Sequence, residues 1–70
     1  MSEWDFVDST NIEKILYDEE NQDLHVQFIS GELYIYHQVS EMVYHDFLEA
    51  PSKGSYFNRE IKSVYQFSQQ

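Results

Sequence analysis

Seventy residues without a cysteine leave room for a single domain, with no disulfide to staple it and no thiolate to bind metal or attack a substrate. Thirteen acids against four bases give a formal net charge of −9, which repels a phosphate backbone at long range, and no run approaches the ~20 apolar residues that cross a bilayer. The core must therefore come from side chains, and six Tyr, five Phe and one Trp provide large apolar areas for it.

Met1-Ser2-Glu3-Trp4-Asp5 is acidic and lacks the apolar run of a secretory signal, so a cytoplasmic chain with no membrane partner is expected. Trp4 to Asp8 alternates weakly, and residues 1–8 read as a tail or an edge strand. Ile12 to Tyr17 is the first full strand, with Ile15 and Tyr17 on one face. Asp18 to Asp23 cannot bury itself and forms a turn; its acids lack the alternating spacing of a calcium loop. Leu24, Val26 and Phe28 alternate with His25 and Gln27 as a second strand. Ser30-Gly31 supplies the next turn, where glycine tolerates positive φ. Leu33 to His37 is a third strand whose inward face depends on turn length. Two turn residues bring Leu33 and Ile35 beside Val26 and Phe28; three (Ser30-Gly31-Glu32) bring Tyr34 and Tyr36 there.

From Ser40 the period becomes helical. Ser40 is a suitable N-cap, Glu41 suits the positive end, and Val39 can staple onto Tyr44. Val43, Tyr44, Phe47 and Leu48 form the apolar stripe, and Pro51 ends the helix. Ser52 caps a short second helix to about Ile61, with Phe57 and Ile61 toward the core, and Val64 to Phe67 closes the chain as a strand. The expected fold is α+β over residues 1–70: a small antiparallel rolled sheet or SH3-like partial barrel, in the order β-β-β-α-α-β.

The run Ser9 to Asp18, then Leu24-x-Val26-x-Phe28, Gly31, Tyr34-x-Tyr36, Val39 and the block Ala50 to Lys62 (APSKGSYFNREIK) resemble the KTSC domain over residues 9–65. That family takes its name from a domain at the C-terminus of some lysyl-tRNA synthetases and also occurs as short stand-alone proteins. The resemblance implies a compact α+β domain with Tyr34 and Tyr36 inward, and implies no reaction. RNA binding is the property proposed for the family, and the acidity of this chain departs from it.

The residues themselves offer one candidate binding surface: Lys53, Tyr56, Asn58, Arg59 and Lys62. Its three cations and Glu60 sit in residues 51–70, whereas residues 1–50 hold 12 of the 13 acids and only Lys14 among the bases. Lys and Arg pair with phosphate, Tyr stacks on a base, and Asn reads an edge or caps a turn. Against this stands a helix merely docked by Phe57 and Ile61, since three cations give little electrostatic affinity. Ser52-Lys53-Gly54-Ser55 also lacks the residue order of a phosphate-binding P-loop. Tyr34 and Tyr36 could form a stacking platform, but a chain this short needs them in its core.

Glu41, His45 and Glu49 share a helix face, an arrangement that is more often solvated than metal-bound. His25 and His37 have no activated nucleophile beside them in sequence. No catalytic, cofactor or metal site is therefore expected. The expected function is a non-catalytic binding module whose partner is a protein or a second copy of itself. RNA or tRNA binding through Lys53–Lys62 is the alternative, which the net charge disfavours.

Overall fold

A computed structural model, describing residues 4–7 and 9–70, contains one five-stranded antiparallel sheet with helical segments packed on one face. The strands are β1 (Asp5–Phe6), β2 (Ile12–Asp18), β3 (Asp23–Phe28), β4 (Leu33–Tyr36) and β5 (Phe67–Gln69). They lie side by side in chain order, so β1 and β5 are the edges of an open sheet. Helices α1 (Glu41–Glu49) and α2 (Lys53–Tyr56) fall between β4 and β5. β1 takes the edge-strand reading of the N-terminal segment and adds one strand to the expected order; Met1, Ser2, Glu3 and Asp8 lie outside the described residues. Among the described residues no helix is long and apolar enough to cross a membrane.

β2 buries Ile12, Ile15 and Tyr17, a spacing of three and then two that a regular strand cannot turn to one face. A bulge between Ile12 and Lys14 absorbs the extra residue. Ile12 then pairs with Phe28 and Ile15 with Val26, and both side chains reach the core.

The hairpin between β3 and β4 resolves the register. The Phe28 N–H donates to the Glu32 carbonyl (2.8 Å) and the Gly31 N–H to the Phe28 carbonyl (2.9 Å), leaving Ile29-Ser30-Gly31 as a three-residue loop. Gly31 adopts φ 101°, the conformation such a loop demands at its last position. The loop sits one residue earlier than the Ser30-Gly31-Glu32 turn, but its odd length preserves the parity. Tyr34 lies opposite Val26 and Tyr36 opposite Leu24, on the core face. Tyr36 is buried, while Tyr34 is half-buried at the margin.

α1 begins where expected: the Val43 N–H donates to Ser40 Oγ (3.3 Å), and Phe47 is fully buried. Tyr44 stacks on Tyr17 with ring centroids 4.5 Å apart. α2 is capped by Ser52, whose Oγ accepts from the Ser55 N–H (3.4 Å). It then continues as a π-turn over Phe57–Ile61, closed by the Lys62 N–H donating to the Phe57 carbonyl (2.8 Å). Phe57 and Ile61 are both buried against the sheet, as their spacing required.

The last strand differs from expectation. The pairs Tyr36–Phe67 and Tyr34–Gln69 put β5 at Phe67–Gln69, whereas Val64 is exposed in the turn before it. The wide π-turn and the Lys62–Tyr65 turn use up the residues that a plain helix would have left for a strand.

Candidate functional site

A cleft of about 480 Å³ opens where the end of the sheet meets the helical segment. Phe28, Tyr34, Tyr36 and Ile29 give it an apolar lining, and Thr10, Asn11, Ser30, Glu32 and Lys62 a polar one. The aromatic side belongs to a continuous array. Phe28 meets Tyr34 edge-on at 5.4 Å and Phe57 at 5.6 Å, and Tyr36 meets Phe57 at 5.4 Å. Phe67, half-exposed on the edge strand, packs on Tyr34 (5.1 Å) and Tyr36 (5.4 Å). Each such contact adds roughly 0.5–1.5 kcal/mol beyond area burial, so the cleft wall is anchored to the core and not free to reshape. Burial, followed by the neighbouring Tyr34, pushes the Tyr36 phenol up to about 12. At neutral pH it is a proton donor and a packing surface, and no base.

Lys62 reaches this cleft because of the π-turn. Closing on the fifth residue brings position 62 round toward the side of Phe57, whereas at 3.6 residues per turn it would stand about 140° away. Arg59 pairs with Glu60 (3.2 Å), the Lys53 ammonium donates to the Ala50 carbonyl (3.3 Å), and Lys14 sits 4.9 Å over the Trp4 ring. Among the described residues Lys62 is the base with no hydrogen bond, ion pair or aromatic face engaged.

A second, polar hollow of about 430 Å³ abuts the first at Thr10 and Asn11 and is lined further by Ser9, Lys53, Ser55 and Asn58. Ser9 organises its wall: Oγ donates to Asn11 Oδ1 (2.9 Å) and accepts from the Asn11 and Ile12 N–H groups (3.3 Å each). Gly54 permits the close approach, since a Cβ there would stand 3.3 Å from Ser9 Oγ.

The five residues singled out from sequence are thus divided. Lys53 and Asn58 line the polar hollow, and Lys62 lines the aromatic cleft. Tyr56 stacks on Phe47 (5.8 Å) with the Arg59 guanidinium 5.9 Å from its ring. Burial first, then the charges of Asp46 and Glu60, raise the Tyr56 phenol, so this third locality has acidic neighbours. Glu41 and His45 approach only to 4.0 Å on an exposed helix face, and no group of three or more metal-ligating side chains converges among the described residues.

One arrangement was not anticipated. His37 Nδ1 lies 3.0 Å from Asp23 Oδ1, and its Nε2 lies 3.0 Å from Ser68 Oγ. These residues are far apart in sequence, and the only available signal was the hairpin register, which sets His37 one step beyond the Leu24–Tyr36 pair and hence beside Asp23. The chain of contacts faces away from the helices, outside both hollows, and fastens β5 to the meander.

Comparison with known proteins agrees along nearly the whole chain. Residues 8–65 match the KTSC domain. A lysine–tRNA ligase of Nostoc punctiforme is 40% identical over 58 residues, covering 83% of this chain but 10% of the ligase. A protein of Stutzerimonas stutzeri, described as uncharacterised, is 43% identical over 54 residues, 77% of this chain and 76% of its own length. The crystal structure of a KTSC domain protein from Yersinia pestis superposes with a TM-score of 0.91 at 32% identity, covering 100% of this chain and 99% of the other. The chain thus spans about a tenth of the length of the ligases it matches.

Proposed function

Since the chain belongs to the KTSC domain family, we propose that it is a non-catalytic recognition module that holds a segment of another protein in the aromatic cleft. The observation that carries this reading is the open hollow lined by Phe28, Tyr34 and Tyr36, continuous with the core through Phe57. Concave, mostly apolar sites with a few polar groups at the edge are the usual form of a binding site. Interface centres favour aromatic anchors of this kind. Burial pushes the Tyr36 phenol up to about 12, which suits stacking and donation at neutral pH rather than proton abstraction.

Binding of tRNA, suggested by the ligase relatives, would need several cations tracking one backbone. Here Lys53, Arg59 and Lys62 serve three different localities, and the net charge is −9.

The test is photocrosslinking from position 29, where Ile29 is exposed at the cleft. A protein partner should be captured by this variant and lost when Tyr34→Ser is added, at a temperature where that variant, weakened by its lost contacts with Phe28 and Phe67, still shows the folded circular-dichroism signal. A monomer by light scattering that retains no protein overturns the reading. Retention of tRNA at low salt instead would transfer the function to nucleic acid.

A further inference from the structure

We infer that the cleft is selective for a protein segment in which an aromatic side chain lies directly beside a carboxylate, with Lys62 as the carboxylate's partner. This rests on the recognition reading above and adds the chemistry of the ligand to it.

Lys62 carries the inference. In a chain with 13 acids and four bases, an ammonium has abundant opportunity to pair, and the other three bases are engaged. Among the described residues Lys62 is not, and it lines the cleft whose apolar wall is Phe28, Ile29, Tyr34 and Tyr36. The helix departs from α geometry at the turn that brings it there, and such π-turns recur at functional sites. An anion bound beside Phe28, Tyr34 and Tyr36 would supply the missing partner in a partly desolvated setting, where a charge-assisted hydrogen bond gains strength.

The number of charges favours a carboxylate over a nucleic acid strand. One ammonium without a partner among the described residues matches one anion, whereas a strand brings a series of phosphates against a molecule of net charge −9. Glu32, Thr10, Asn11 and Ser30 also present acceptors and donors of the type that hold peptide N–H and C=O groups. An aromatic residue followed by Asp or Glu, or an aromatic residue at a free C-terminus, has both required parts.

The experiment is amide-resolved NMR titration of the whole chain with N-acetylphenylalanine, its neutral carboxamide analogue, and adenosine monophosphate. N-acetylphenylalanine should move the Gly31, Tyr34 and Lys62 amides and bind roughly three- to tenfold more tightly than the carboxamide. Lys62→Gln should erase that preference while leaving carboxamide binding in place. Equal affinity for acid and carboxamide, or a preference that survives Lys62→Gln, overturns the carboxylate assignment and leaves the cleft reading standing. Tighter binding of the nucleotide overturns it in favour of phosphate. No response to any of the three removes both readings.

Discussion

The Tyr17 hydroxyl donates to the carbonyl oxygen of Val39, tying the end of β2 to the segment that leads into α1. Val39 is fully buried, so this carbonyl has no access to water to replace the bond. Tyr17→Phe leaves it unpaired while keeping the ring and its stack on Tyr44. The expected loss is about 1–2 kcal/mol, read as a melting temperature lowered by ~4–8 °C per kcal/mol for a domain of this size. An unchanged melt would mean that the hydroxyl contributes nothing net.

Phe47→Ala and Phe57→Ala should each cost about 3–5 kcal/mol, because both rings are buried and each meets aromatic neighbours on more than one side. That loss is comparable to the whole stability of many small domains. Denaturant unfolding should show the midpoint falling sharply, or no cooperative transition at all. Retention of most of the stability by both variants would mean that the helical layer is not the lid of the core.

Gly31→Ala tests the hairpin that sets the register. No atom lies within 4 Å of where the Cβ would be, so the cost is confined to a backbone at φ 101° that alanine resists. A loss of about 1–2 kcal/mol is expected, with the cleft residues unshifted in NMR spectra at low temperature. A neutral or stabilising outcome would require a different loop conformation.

These elements differ in how far they could be read from residue types. The alternation in β3, the Ser40 cap, the Phe47 stripe and the Phe57–Ile61 pair are local patterns, and each appears where its period puts it. The alternation of Leu33 to Tyr36 left Tyr34 and Tyr36 two possible faces, because parity is all that separates core from solvent on a strand; the resemblance implied the inward one, which the three-residue loop produces. The β2 bulge was hidden for a similar reason: Ile12 breaks the alternation, and nothing local tells a bulge from a strand end. The π-turn has no sequence period of its own, which displaced β5 from Val64–Phe67 to Phe67–Gln69. The cleft was only partly legible, since Lys62 was marked by its charge but Phe28 and Tyr34 acquire their role from tertiary contacts between residues far apart in the chain.

The His37 contacts should govern the edge strand more than the whole domain. With Asp23 on one ring nitrogen and Ser68 on the other, the imidazole bridges β3 and β5 across the exposed sheet face. β5 is short, and all three of its residues are exposed. His37→Ala should loosen it locally, at a cost of about 1 kcal/mol. Hydrogen exchange should accelerate at the Gln70 amide, which donates to the Leu33 carbonyl at 2.8 Å, while Val26 in the centre of the sheet keeps its protection. Uniform acceleration at both would indicate that β5 unfolds only with the rest of the domain.

Alkali should unfold the protein through its tyrosines. Burial above all, then the Asp5 hydrogen bond and charge, pushes the Tyr44 phenol up to about 12 from the ordinary 10.0. Burial likewise holds Tyr36 at about 12. A folded-state pKa raised above the unfolded value means that the folded protein keeps protons the unfolded chain would release. The stabilisation is therefore complete below about pH 10 and is lost as pH climbs toward about 12. Phenolate absorbance should rise together with loss of the folded circular-dichroism signal over that interval, and Tyr36→Phe and Tyr44→Phe should each make the alkaline limb shallower. Asp5→Asn should act on Tyr44 alone, since Asp5 faces that hydroxyl at 3.0 Å and has no part in the burial of Tyr36. Smooth titration of every tyrosine near 10 with the fold intact would place both phenols in open solvent and undo the packing on which the cleft depends.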